Sequence, residues 1–234
     1  MKAIFKRELN SYFHSPIAYV CIGVLLALYG FFYYNVLLLQ TSTYISSVYS
    51  SMFLFNMLVI PIITMRSFSE ERKNKTDQAL LTAPVGTYAI AFGKFLAALL
   101  VFAVSLLGSL IPAFVIGIFS SPNWAIVFGN ILGTLFYGAA MIAISMFLSS
   151  LTENQIVAAI SSMGVAVFLM VIDQIGSIVS NSVVTQIINW ISFNTRYKTF
   201  TSGVFDLSSL VFFLSVAAAF LFLTARRLEG RRWN

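Results

Sequence analysis

IAYVCIGVLLALYGFFYYNVLLL, residues 17–39, runs for 23 positions without one charged side chain. A helix rises about 1.5 Å per residue, so this stretch outreaches the roughly 30 Å hydrocarbon core of a bilayer. Its apolar part is too long for a signal peptide and no small-x-small cleavage pattern closes it, so it reads as a retained first span. Working outward from it, comparable apolar segments follow at Val48–Met65, Tyr88–Phe119, Trp124–Leu148, Gln155–Gly176 and Leu207–Ala225. The fold class expected is an all-α integral membrane protein with six transmembrane helices. Composition agrees: the 234 residues are 59% apolar and 9% charged, against roughly 25% charged in soluble proteins.

The links between spans are informative. SSPN at 120–123 is a tight-turn signal, which makes its two flanking helices antiparallel neighbours. Tyr88–Phe119 is longer than a bilayer requires, and Pro112 is the residue at which a bend is expected. With six spans both termini share a side, and that side collects Lys2, Lys6, Arg7, Arg66, Arg72, Lys73, Lys75, Lys94, Arg226, Arg227, Arg231 and Arg232. Only Arg196 and Lys198 fall opposite. The positive-inside rule then places both termini in the cytoplasm of a cell-membrane protein. The net charge of +6 reports this topology; no basic stripe with interleaved aromatics argues for nucleic acid.

Two segments are expected to touch the membrane without spanning it. Residues 1–15 set Phe5, Leu9, Tyr12 and Phe13 against Lys2, Lys6 and Asn10 at helical spacing, the pattern of an interfacial helix, which Pro16 ends. Residues 181–205 alternate apolar and polar groups around Trp190 and Ile191. They read as short helices dipping into the outer leaflet, the alternative being a plain outer loop. The division is thus an N-terminal interfacial helix (1–15), a six-span domain (16–225) and a basic tail (226–234).

RSFSEERKNKTDQALLTAPVG, residues 66–86, holds seven of the 22 charged residues. Ser67 and Glu70 fit an S-x-x-E capping box, and Glu71 with Lys75 an i,i+4 pair. Phe68, Leu80 and Leu81 supply apolar anchors, Glu70, Glu71, Arg72 and Lys73 a charged rim, and Pro84 a stop. A helix this short and polar needs a surface to dock on; the alternative is a solvated linker.

Glu71, Arg72, Thr76, Leu80, Leu81 and Pro84 fall on the E-R-x-x-x-T-x-x-x-L-L-x-x-P pattern of ABC-2 type transporter permeases, and the segment resembles theirs. Lys75 departs from it, standing where the family more often has Gly, a change expected to stiffen the helix. Residues 200–233 resemble the gliding-motility type of these permeases. The resemblance implies that 66–84 is a coupling helix seated in a separate ATP-binding cassette ATPase subunit. It also implies a second permease copy or a paralogous permease, and an outer re-entrant hairpin at 181–205 acting as a gate. An extracytoplasmic auxiliary subunit and membrane lipid are further partners expected. ATP and Mg would belong to the partner, and this chain would carry no cofactor.

The inventory of reactive residues points the same way. The only Gly-Lys pair, Gly93-Lys94, is followed by Phe95 and lies at a helix entrance, so it is no Walker A loop. A single His14 and a single Cys21 cannot build a metal site. Gly203 permits a turn before Asp206, which reads as the cap of the last helix. Asp173, near the outer end of the fifth span, is a gate or pathway candidate or a boundary residue reaching the headgroups. Gly129 and Gly133 form a G-x-x-x-G that serves internal packing or a dimer seam. The expected function is therefore the permease subunit of an ATP-driven exporter, not itself an enzyme. An ion-coupled secondary transporter or channel and a membrane scaffold are the alternatives; the first would normally show charged or Pro/Gly-broken helices at mid-membrane and an internal repeat, and the second has no reason to carry a coupling helix.

Overall fold

The structure, a computed structural model, describes residues 2–38, 45–82, 85–119, 122–178, 186, 188, 190–203 and 206–232. Among them the helices are α1 (Lys2–Phe13), α2 (Pro16–Leu38), α3 (Ile45–Thr64), α4 (Arg66–Lys73), α5 (Asp77–Thr82), α6 (Thr87–Gly108), α7 (Leu110–Phe119), α8 (Trp124–Leu151), α9 (Gln155–Ile178), α10 (Phe193–Thr201) and α11 (Leu207–Arg232). Six helical stretches are long and apolar enough to cross a membrane: Pro16–Leu38, Ile45–Lys73, Thr87–Phe119, Trp124–Leu151, Gln155–Ile172 and Leu207–Arg232. Each coincides with an expected span, and the ends differ for identifiable reasons.

Helix α8 is the axis of the bundle, packing against α3, α6, α9, α10 and α11. Its face is built from small residues, with Gly133, Gly138, Ala139, Ala140 and Ala143 all buried. Lipid tails are as apolar as leucine, so helices in a bilayer gain little by hiding apolar surface and associate instead by close packing. At Gly138 an added Cβ would lie 2.3 Å from Phe102 of α6, so only glycine admits that ring.

The third span is interrupted at Ser109, three residues before Pro112, where a bend is expected. Helix α6 ends at Gly108 and α7 starts at Leu110. Pro112 offers no N–H to the carbonyl of residue 108 and its ring crowds that carbonyl, so the discontinuity falls there. Gly108 adds room, since a Cβ there would meet Leu26 of α2 at 2.5 Å.

Residues 226–232 are not a detached tail. Helix α11 continues through Arg226 and Arg227 to Arg232 with Leu228 buried, because the arginine stems tolerate helix and Leu228 still has the bundle to pack on. Arg231 reaches Asp77 at 3.7 Å, which puts the C-terminal helix beside the 66–86 segment. Arg7 of α1 contacts Glu71 at 2.5 Å, and Arg72 contacts Glu153, in the link between α8 and α9, at 2.8 Å. Both termini, the 66–86 segment and the 152–154 link therefore meet at one end of the bundle.

Candidate functional site

The 66–86 segment begins without a helix start. Met65 is in the α-helical region and its N–H donates to the Pro61 carbonyl at 2.8 Å, so α3 runs almost directly into α4. A capping box needs orphan N–H groups, and here the preceding turn supplies their acceptors. The expected Ser67–Glu70 box is accordingly not formed. The Ser67 hydroxyl instead meets the Tyr12 hydroxyl at 3.0 Å, and Glu70 pairs with Arg66 at 2.7 Å.

The end of α4 explains the spacing of the motif. Thr76 N–H donates to the Glu71 carbonyl at 2.9 Å and Lys75 N–H to the Arg72 carbonyl at 3.2 Å. These are the 6→1 and 5→2 bonds of a Schellman cap, with Lys75 in the left-handed region at φ 55°. Thr76 adds its hydroxyl to the same Glu71 carbonyl at 3.3 Å. Lys75 thus sits in a turn rather than stiffening a helix, and its expected pairing with Glu71 is absent because the chain reverses between them. The family's glycine is the residue this backbone favours.

Glu71 turns inward instead. Lys94, on α6, is buried to 1% exposure. Its Nζ lies 2.9 Å from Glu8 Oε1, 3.0 Å from Glu71 Oε1 and 2.8 Å from the Ser67 carbonyl oxygen. An ammonium has three N–H donors, and each has an acceptor here. Arg7 bridges the same two carboxylates at 2.8 and 2.5 Å, so two cations face two anions. Burial opposes the charged form of Glu8, but Lys94 and Arg7 outweigh it and hold this carboxyl below its ordinary range. Removing Lys94 would leave the two carboxylates with only the half-exposed Arg7 to compensate them.

Phe68 is buried at 6% exposure with Lys94 Nζ 5.3 Å from its ring centre. It anchors α4 to its own bundle and is not free to seat in a partner, contrary to expectation. Arg72 is held by Glu153 and by the Leu151 carbonyl at 2.9 Å. Leu80 is half-buried against the core; the side chain of Leu81 and all of Pro84 lie outside the described residues. Lys73, Asn74, Lys75 and Thr76 are exposed at the tip. A cleft of about 290 Å³ opens beside the junction, lined by Arg7, Glu8, Tyr12, Arg66, Glu71 and Lys94 among others.

Helix α1 presents Ile4, Glu8 and Tyr12 to the bundle, while Phe5, Leu9 and Phe13 of the face expected at the membrane interface are only partly buried. Ile4 lies over Gly93, where an added Cβ would be 3.1 Å from its Cγ2. Tyr12 donates to the Ile63 carbonyl at 3.1 Å, and burial raises its hydroxyl pKa above the ordinary value.

At the opposite end, Trp190 and Ile191 are exposed, while most of 181–189 lies outside the described residues, as does the side chain of Asp173. Helix α10 is wedged into the bundle by Tyr197 and Phe200. Tyr197 stacks on Phe53 at 5.3 Å between ring centres and shares a 3.0 Å hydrogen bond with Thr134. The G-x-x-x-G of α8 is the seat of Phe200: a Cβ on Gly133 would lie 2.7 Å from Phe200 Cβ, and one on Gly129 3.2 Å from its carbonyl oxygen. That motif therefore packs the chain internally. Gly203 has φ +76°, as the turn requires. Asp206 caps α11, accepting from the N–H groups of Ser208 and Ser209 at 3.0 and 3.2 Å. The Ser209 hydroxyl bond and these N–H bonds keep the Asp206 carboxyl below its ordinary range.

Between the two ends lies a feature the sequence did not announce. Asn56, fully buried on α3, donates to the hydroxyls of Tyr29 at 3.0 Å and Tyr137 at 2.9 Å. Tyr33 donates to Tyr49 at 3.1 Å. A lone asparagine inside an apolar span, and tyrosines at i,i+4 in α2, were the available signals.

Six apolar crossing helices, with the ion pairs among the described residues gathered at one end, define a multi-pass membrane protein whose polar junction faces out of the bilayer. The chain belongs to the ABC-2 family transporter proteins, whose family model matches residues 4–231. It is thereby a permease of an ABC transporter, a membrane transport component that works with an ATPase. No curated protein matches it.

Proposed function

We propose that this permease is an exporter driven by a separate ATPase subunit, which engages the exposed tip of the α4–α5 segment on the cytoplasmic side. The observation that carries this is the contrast within one segment: Lys73, Asn74, Lys75 and Thr76 are exposed, while Arg66, Glu70, Glu71, Arg72 and Asp77 are each paired within the chain. A solvated linker has no need of such bracing. A tip that receives force does. The resemblance of Glu71, Arg72, Thr76 and Leu80 to the coupling segment of these permeases, and the twelve basic residues on the same face, support the orientation. ATP and Mg would reside on the partner, and export is the direction the resemblance supplies.

Asn74→Trp places a bulky ring at the exposed tip. A tagged wild-type chain is expected to co-purify with an ATP-hydrolysing subunit, and Asn74→Trp to lose that subunit while retaining its own melting temperature. Equal recovery of the ATPase by both chains would show that the tip is not the docking point.

A further inference from the structure

We propose that Lys94 is a positioning residue that binds α1, α4 and α6 into one transmitting unit, making the N-terminal helix part of the coupling apparatus. This rests on the coupling role of the α4–α5 segment proposed above.

Three observations converge on it. Lys94 lies on the eighth position of α6, about 10 Å along that helix at 1.5 Å per residue, yet its ammonium is not released to solvent. It ends on three acceptors from two other elements: Glu8 of α1, and Glu71 with the Ser67 carbonyl of α4. Gly93, its neighbour, admits Ile4 so closely that α1 lies directly against α6. That approach is what lets the Glu8 carboxylate reach the ammonium. Finally, the two carboxylates meet the same Nζ at 2.9 and 3.0 Å, so without Lys94 they would confront each other with Arg7 alone between them.

The choice of lysine follows from geometry. Its compact head offers three donors to three acceptors around one point, whereas a planar guanidinium projects its donors in a fixed fork. The arrangement also assigns Glu71 a task distinct from the tip's. Glu71, paired with Lys94, links the tip to the spans behind it. A displacement of α4 would then be felt at once by α6, which enters the bundle, and by α1.

The test uses spin labels at Ser11 and Asn74, exposed on α1 and at the end of α4, in a Cys21→Ser chain. Distances are measured by electron–electron double resonance in lipid nanodiscs. With Lys94 present a narrow distribution is expected in the permease alone, because the two helices are held to one ammonium. Lys94→Met keeps the stem but leaves the carboxylates opposed, and should give a broad distribution. Lys94→Met with Glu71→Gln restores neutrality and should narrow it again, a rescue that a purely space-filling lysine would not produce. In the complex, ATP turnover by Lys94→Met should fall about tenfold, within the usual span of coupling between sites, and recover in part in the double variant. A narrow distribution in Lys94→Met, a double variant as broad as the single one, or unchanged turnover would each overturn the proposal. The spin-label arm needs only the permease, so failure of the wild-type chain to recruit an ATPase would count against the proposed function and not be confused with failure of the Lys94 junction.

Discussion

At the scale of single residues, Lys75 is where a sequence pattern acquires a mechanical meaning. The E-R-x-x-x-T spacing is the interval of a Schellman cap: Glu71 supplies the carbonyl, Thr76 closes on it five residues later, and residue 75 must take a positive φ. A left-handed lysine costs roughly 1–2 kcal/mol, while glycine returns about 0.5–1 kcal/mol of that through its freer unfolded chain. Lys75→Gly should therefore raise stability slightly, by up to about 1 kcal/mol, and Lys75→Val should lower it, since a β-branched side chain tolerates that φ least. Thermal melting in detergent reads both; a valine variant as stable as wild type would contradict the left-handed turn. What remained illegible at this scale was pairing. Lys94 read as an ordinary basic residue at a helix entrance, because its acceptors come from positions 8, 67 and 71, and nothing local announces that those positions meet.

At the scale of elements, helices were legible and their junctions were not. Apolar run length is a local property, so all six spans were visible, and Asp206 was recognised as a cap because a cap acts within its own three residues. The Ser67–Glu70 box failed for the complementary reason: its sequence is correct, but α3 delivers a continuing helix and leaves no N-terminus to cap. The Gly129–Gly133 pair was ambiguous until α10 was seen on it. Phe200 occupies the space a Cβ at Gly133 would need, 2.7 Å away, so Gly133→Ala must push α10 outward. Thr134, fully buried and bonded to Tyr197, is a reporter of that movement. In a Cys21→Ser background, Thr134→Cys should react faster with a maleimide when combined with Gly133→Ala. Combined with Gly164→Ala, whose added methyl meets nothing within 4 Å, it should react as before. Equal rates in the two would mean that α10 is not held by this seat.

At the scale of the whole molecule, the distribution of charge and the packing of the bundle bear on orientation together. Twelve of the fourteen basic residues lie on the side that holds both termini, and the structure brings that side into one connected junction in which α1, the α4–α5 segment, the 152–154 link and α11 are tied by ion pairs. Acidic residues are drawn to the same end for pairing, yet they contribute little to orientation, so it is the lysines and arginines that should fix the cytoplasmic face. Arg196 does not argue against this: its guanidinium lies 4.4 Å from the Phe212 ring centre and bonds the Trp190 carbonyl at 3.2 Å, so one of the two opposite cations serves the packing of α10 on α11. Reporters of sidedness must be chosen from exposed positions. Ser69 and Ser192 sit in the correct segments but are buried at 0% and 2% exposure, whereas Asn74 and Lys198 are exposed. In a Cys21→Ser chain, Lys198→Cys is expected to react with a membrane-impermeant maleimide added to intact cells. Asn74→Cys is expected to react only after the membrane is opened. Labelling of Asn74→Cys alone from outside would reverse the orientation, and labelling of both would put the two ends of the bundle on one side; either would remove the tip of α4 from the reach of any cytoplasmic ATPase.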